Sequence, residues 1–242
     1  MRWAAYGLVV AAPVAAWAAT TGDAAGPAAM TFDQLRKVAP IGPFAPEVGQ
    51  WVIFKIGDGS SASYLRIGLL ARERTPHGKA EWLEMSFGPR PEGGVTAMKF
   101  LTRGDPRDPQ SLQRLVIRLG GGQPMELSGK ELQAMRRDEE ANTAAGAEAG
   151  APEVRGEPET KQVRAGTFTT HRMEMPTSTL WISDEAPMFH LVAGVMHGVP
   201  FELYSTGKGA EDWVGEATTH LGLSPDGGMI ITAADGGSGA RP

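Results

Sequence analysis

None of the 242 residues is cysteine. No disulfide can staple the fold, and no thiol is at hand to ligate a metal, act as a nucleophile or carry a lipid at a processed N-terminus. Catalytic signatures are also missing. There is no G-x-S-x-G elbow, and the β-rich pattern described below lacks the strand-to-helix turn that such an elbow requires. The five histidines, His77, His171, His190, His197 and His220, never fall two, three or four residues apart, so no H-E-x-x-H arrangement exists. Gly207-Lys208-Gly209 lacks the further glycine and hydroxyl residue of a phosphate loop and reads as a loop between strands. Neighbouring carboxylates such as Asp184 and Glu185 point apart on a strand, whereas glycoside hydrolysis needs two that face each other across a sugar. These absences predict a non-enzyme that needs no cofactor and holds no metal. A cryptic metal-dependent hydrolase, assembled from His171, His190 and Asp184, is the enzymatic alternative.

Long hydrophobic runs are scarce. The stretch 3–12 is apolar but reaches only about half of the ~20 residues needed to cross a bilayer. Met1-Arg2 before it and Ala16-Trp17-Ala18 after it give the charge, apolar centre and small-x-small triplet of a secretory leader. Cleavage is expected after Ala18, which predicts a periplasmic or secreted protein without a membrane anchor. Loss of Arg2 with the leader leaves 22 basic against 28 acidic residues, a net charge of −6. That sign disfavours nucleic acid as a partner.

What is present is strand grammar. Runs rich in β-branched, aromatic and long apolar residues recur at 50–56, 64–74, 80–87, 95–102 and 112–119, and again at 167–173, 179–183, 191–196 and 200–205. Between them lie turn clusters such as Gly57-Asp58-Gly59-Ser60, Thr75-Pro76-His77-Gly78 and Gly120-Gly121-Gly122. Two short helices are suggested at 31–39 and 128–140, each opening with capping-box spacing (Thr31 and Gln34; Ser128 and Glu131). The fold class expected is mainly β (α+β): a curved antiparallel sheet or half-barrel of about 9–11 strands with one or two short helices. The domain plan is a leader at 1–18, a flexible tether at 19–30 and a single β-rich domain at 31–221. A disordered insertion at 138–162 and a mobile tail at 222–242 complete it. The insertion holds seven acidic and two basic residues with Val154 as its one branched aliphatic before the final strands, too little apolar surface to offset ordering entropy.

Alternation assigns the faces. Leu83, Met85 and Phe87 share one face of their run, as do Met98 and Phe100, and Leu115, Ile117 and Leu119. Glu84, Arg114 and Arg118 point the other way, together with Trp82, Leu101 and Val116, so part of that second face should be covered too. Leu83, Met85, Met98, Phe100, Leu115 and Ile117 are the candidate ligand-lining residues. The 11 methionines are suited to an adaptable apolar surface.

The pattern V-x-A-G-T-F, followed by a strand and by L-W-I-S-D-E-x-P-x-F-x-L-V, resembles the C-terminal half of secreted bacterial β-rich proteins related in style to the outer-membrane lipoprotein carriers, the LolA and LolB class. The residues that carry the resemblance are Val163, Ala165, Gly166, Thr167, Phe168, Trp181, Ser183, Pro187, Leu191 and Val192, within about a third of the chain. The resemblance implies a strongly curved half-barrel wrapped around helices, with an apolar concavity that holds acyl chains in the carriers. It carries over no functional residue. The expected function is a periplasmic protein that binds or carries an apolar small molecule or lipid. An envelope protein–protein interaction or assembly module is the alternative.

Overall fold

The computed structural model describes residues 46–233, apart from 77, 93–95, 105–108, 128, 131, 134–152, 176–177, 197, 218 and 224–228. The expected leader, the tether, the 31–39 helix, the 138–152 part of the insertion and most of the 128–140 helix lie outside the described residues. Gly129, Lys130, Leu132 and Gln133 are helical, and Leu132 is buried in the main core.

Among the described residues thirteen strands form one sheet: β1 (Trp51–Ile56), β2 (Ser63–Thr75), β3 (Gly78–Gly88), β4 (Thr96–Thr102), β5 (Leu112–Leu119), β6 (Met125–Leu127), β7 (Glu153–Val163), β8 (Gly166–Met175), β9 (Ser178–Ile182), β10 (Leu191–Met196), β11 (Val199–Gly207), β12 (Thr219–Leu223) and β13 (Met229–Ala233). Their order is β13-β12-β6-β5-β4-β3-β2-β1-β11-β10-β9-β8-β7. All pairings are antiparallel except the three-residue β6–β12 pair, which is parallel. The sheet curls at its β7 end, where the Ala165 N–H at the tip of the β7–β8 hairpin donates to the Leu203 carbonyl on β11, 3.3 Å away.

Four elements depart from the sequence expectation, which allowed 9–11 strands. Residues 153–162, read as disordered, belong to β7. An edge strand needs hydrogen bonds on one side only, and β8 supplies them, so β7 forms with its described side chains from 157 to 160 exposed. Pro158, which cannot donate to a ladder, sits where the register shifts between Arg155 and Glu159. Residues 222–223 and 229–233, read as mobile tail, belong to β12 and β13, which pair along five residues. The short β6 was missed as well.

Register explains the core. One cross-strand row runs Val52–Ile67–Met85–Met98–Ile117–Met125 over β1 to β6, and another runs Leu69–Leu83–Phe100–Leu115 over β2 to β5. Directly opposed residues share a face, so the period-2 alternation of each strand adds into one apolar surface. The same face continues through Met173–Leu180–Gly194–Phe201–Ile56 at the curled end. Gly194 has no side chain because Phe201 occupies the space: a Cβ there would overlap that ring and stand 2.9 Å from a Leu180 methyl. Gly194→Ala should therefore destabilise the protein by about 1–3 kcal/mol. Adding Phe201→Leu should recover part of that loss, as a double-mutant cycle in urea would read out. Additive losses would mean that the two side chains do not compete for this volume.

Candidate functional site

The six candidate lining residues come together as two rows of three: Leu83–Phe100–Leu115 and Met85–Met98–Ile117, each running across β3, β4 and β5. Five of them are buried, with Phe100 at 3 % exposure, and Met98 is half-buried against the same cluster. Leu132, itself helical, joins that cluster. The face is thus a covered apolar layer.

The opposite face is built differently. The connection from β11 to β12 crosses it as a strap of residues 208–217. The strap begins on residues 47–51: Lys208 pairs with Glu47 at 2.6 Å, the Ala210 N–H donates to the Gly49 carbonyl at 2.8 Å, and the Trp51 indole N–H donates to the Lys208 carbonyl at 3.2 Å. Gly68 on β2 lies under it, where an added Cβ would come 3.1 Å from the Ala210 methyl. Further on, Val214 is buried against Ala97 and Val116 in a small second core.

Beneath the strap lies a charged cluster that sequence reasoning did not single out. Arg66, Glu84 and Lys99 are each buried, one on each of three successive strands. The Glu84 Oε2 accepts the N–H groups of Trp213 (2.8 Å) and Val214 (2.9 Å). Its Oε1 is buried with no hydrogen-bond partner, and the nearest cation, Arg66 Nη1, stands 3.6 Å away. The Arg66 guanidinium lies 4.1 Å from the Trp213 ring centroid and 5.7 Å from that of Trp51. Lys99 Nζ pairs with Asp212 at 2.8 Å and Glu216 at 3.5 Å. Alongside, Arg114 grips Glu126 through two bonds of 2.7 and 2.9 Å, and the Trp82 ring lies between Lys99 and Arg114.

Electrostatics follow from this packing. Burial raises the Glu84 carboxyl to about 7, although the Val214 and Trp213 N–H groups and Arg66 pull the other way. Burial also lowers Arg66. Burial acts upward on Asp212, but the bonds from Lys99 and the Gly215 N–H outweigh it and leave Asp212 below the usual range. The bond from Arg114 holds Glu126 low. A carboxyl near 7 has the profile of a general acid or base, yet the Glu84 side chain has 0 % exposure, so no substrate reaches it in this conformation. A visible signal existed in the sequence: one charged residue in the middle of each apolar run, Y-L-R-I-G, W-L-E-M-S and A-M-K-F-L. The strap partners, more than a hundred residues away, could not be inferred.

The enzymatic alternative finds little geometry. His190 Nδ1 stands 3.9 Å from Asp184, and His171 lies opposite Ile182 in the ladder. Among the described residues no three His, Asp or Glu side chains converge to hold a metal. No described helix is long and apolar enough to cross a membrane.

No family profile matches the sequence, and no curated protein aligns with it. Similar solved structures include a protein described as exported, with a YmcC-like fold, from Bacteroides fragilis: 10 % identity, 70 % of this chain and 100 % of that one, TM-score 0.35. Another is described as a lipoprotein from Parabacteroides distasonis, with 12 % identity over 70 % of this chain and 99 % of that one, TM-score 0.33. MucB, solved in complex with MucA, matches at 14 % identity over 73 % of this chain and 60 % of its own length, TM-score 0.32.

Proposed function

We propose that the protein is a non-catalytic, periplasmic or secreted binder of an apolar ligand, a lipid or acyl chain, received on the face formed by Leu83, Met85, Met98, Phe100, Leu115 and Ile117. The observation that carries this reading is the register: six apolar side chains from β3, β4 and β5 stand in two adjoining rows, uninterrupted by a polar group. Two of the six are methionines, whose unbranched chains repack around an incoming guest. Transfer of a methylene from water is worth ~0.8 kcal/mol, so eight carbons bring roughly 6 kcal/mol. Because the face is already covered, a guest exchanges places with the protein's own side chains, and only part of that sum appears as affinity. Loose, reversible carriage is the expected regime.

Two measurements test the reading. Gently purified protein should carry lipid detectable by mass spectrometry, and it should bind a fluorescent fatty acid saturably. Met98→Glu, at the half-buried member of the six, should weaken that binding at least tenfold and leave the protein folded. Absence of both lipid and saturable binding would remove the carrier reading. The interaction-module reading would then stand, since β7 and β13 end the sheet and each pairs with a strand on one side only among the described residues.

A further inference from the structure

We propose that the strap of residues 208–217 is a proton-controlled cover, clasped to the second face of the sheet through Glu84 while its carboxyl is protonated and loosened when that carboxyl ionises. The inference is independent of the apolar-ligand reading, because it concerns the opposite face.

Geometry makes the strap a distinct element. Six strands, β1 to β6, separate β11 from β12. Seven strand spacings of about 4.8 Å give a path of roughly 34 Å. The chain from Gly207 to Thr219 reaches about 40–43 Å when fully extended, enough to span that path with the bends at Trp213 and Val214 that place their N–H groups on Glu84. Between its anchor at residues 47–51 and the start of β12, the described residues hold it by a small apolar core, Val214 and Ala217 on Ala97 and Val116, and by the charged cluster.

Glu84 is the member of that cluster whose protonation matters. Its Oε2 receives two strap N–H groups and can accept them in either state. Its Oε1 discriminates between the states: when ionised it is a buried oxygen without a donor. The charged groups around Glu84 are Arg66 from β2, Lys99 opposite it on β4 and Asp212 from the strap, with Glu211 of the strap acting on Arg66. Lys99 is committed to Asp212, and Arg66 stands 3.6 Å away beyond ordinary hydrogen-bond reach. When protonated, Glu84 can donate to Asp212, whose carboxylate is lowered in part by a side-chain bond from Glu84. The neutral form therefore fits the closed strap, and the charged form fits it poorly.

The sign follows. The closed form holds the Glu84 proton up to about 7, whereas a water-exposed glutamate loses it near 4.3. The closed strap is favoured fully below the lower value, and the advantage is lost as pH rises through the upper one. Between those limits the closed-to-open ratio falls by a factor on the order of 500.

Amide exchange corrected for intrinsic rates tests this. Protection of the Trp213 and Val214 N–H groups should drop by tens- to hundreds-fold between pH 5 and pH 8, and amides of β10 should hold theirs. In Glu84→Gln the side-chain oxygen can still accept both N–H groups and the amide is neutral at every pH, so protection should stay high at both pH values. Unchanged protection in the wild type would overturn the proposal, as would loss of β10 protection in parallel or a pH response that survives in Glu84→Gln. Should that variant fail to fold, the wild-type tryptophan emission decides instead: a transition centred near 7 supports the proposal, and one centred near 4.5, or none, overturns it.

Discussion

Phe100→Glu should leave the protein unfolded at room temperature and neutral pH. Phe100 is 3 % exposed, flanked by Leu83 on β3 and Leu115 on β5. Loss of a buried phenylalanine costs about 3–5 kcal/mol. A carboxylate placed there without a partner adds several kcal/mol. Together these match or exceed the roughly 5–15 kcal/mol that holds a domain together. The side chain has one escape, protonation, so a partial return of structure is expected as pH falls toward 4, where the residue enters the core uncharged. Circular dichroism against temperature at pH 7 and pH 4.5 would show both effects. Phe100→Leu is the control, with a loss below about 1.5 kcal/mol. A thermal transition in Phe100→Glu within a few degrees of the wild type would mean that this face is open to water and that its covered state is not what stabilises the sheet.

The apolar strands were legible because each alternates, and alternation survives without knowledge of the partner. The runs at 112–119 and 191–196 coincide with β5 and β10, and seven others match their strands to within two residues. The six candidate lining residues fall on one face for the same reason. What was not legible is structure that owes itself to a neighbour. β7 reads as a charged, proline-containing stretch because only β8 makes it a strand. β6 is three residues long and exists as a rung between β5 and β12. β12 and β13 lie among glycines, and they extend the sheet only because the strap delivers β12 to β6. Glu84 was placed correctly on the second face, but its burial depends on Trp213 and Val214, and no local pattern announces a contact of that range.

The two faces therefore divide the chemistry. The apolar face is built by local alternation and tolerates exchange of one apolar side chain for another of like volume. The second face carries the row Gly68–Glu84–Lys99–Val116–Glu126, and its charges are tolerable only with the strap in place. Without the strap, Val116 would lose its cover by Val214 and Glu84 would lose both backbone donors. The strap thus covers the middle of this second face, and the charged cluster fixes where that crossing lies.

Arg66→Met should destabilise the protein far more at pH 8 than at pH 5. At pH 8 Glu84 is largely ionised, since its carboxyl titrates at about 7, and Arg66 is the cation nearest its orphaned oxygen. Removal of one partner of a buried pair costs about 3–5 kcal/mol because the remaining charge is left uncompensated. Relief of the desolvation that Arg66 itself suffers offsets part of this. Loss of Arg66 also raises the folded-state value of Glu84 further above that of the unfolded chain. Stability is then retained where Glu84 is neutral and lost more steeply as pH rises through the new value. At pH 5 the carboxyl is protonated in the folded state, and what remains is the loss of stacking on Trp213 and Trp51, about 1–2 kcal/mol. Arg66→Lys should not rescue the protein fully, because an ammonium cannot lie flat against both indoles. Urea unfolding at the two pH values, for the wild type, Arg66→Met and Arg66→Met/Glu84→Gln, separates the contributions. The double variant should recover the pH-dependent part and keep the stacking loss. An equal loss for Arg66→Met at both pH values would show that Arg66 and Glu84 are neighbours without energetic coupling, and that the arginine serves only as a shelf for the tryptophans.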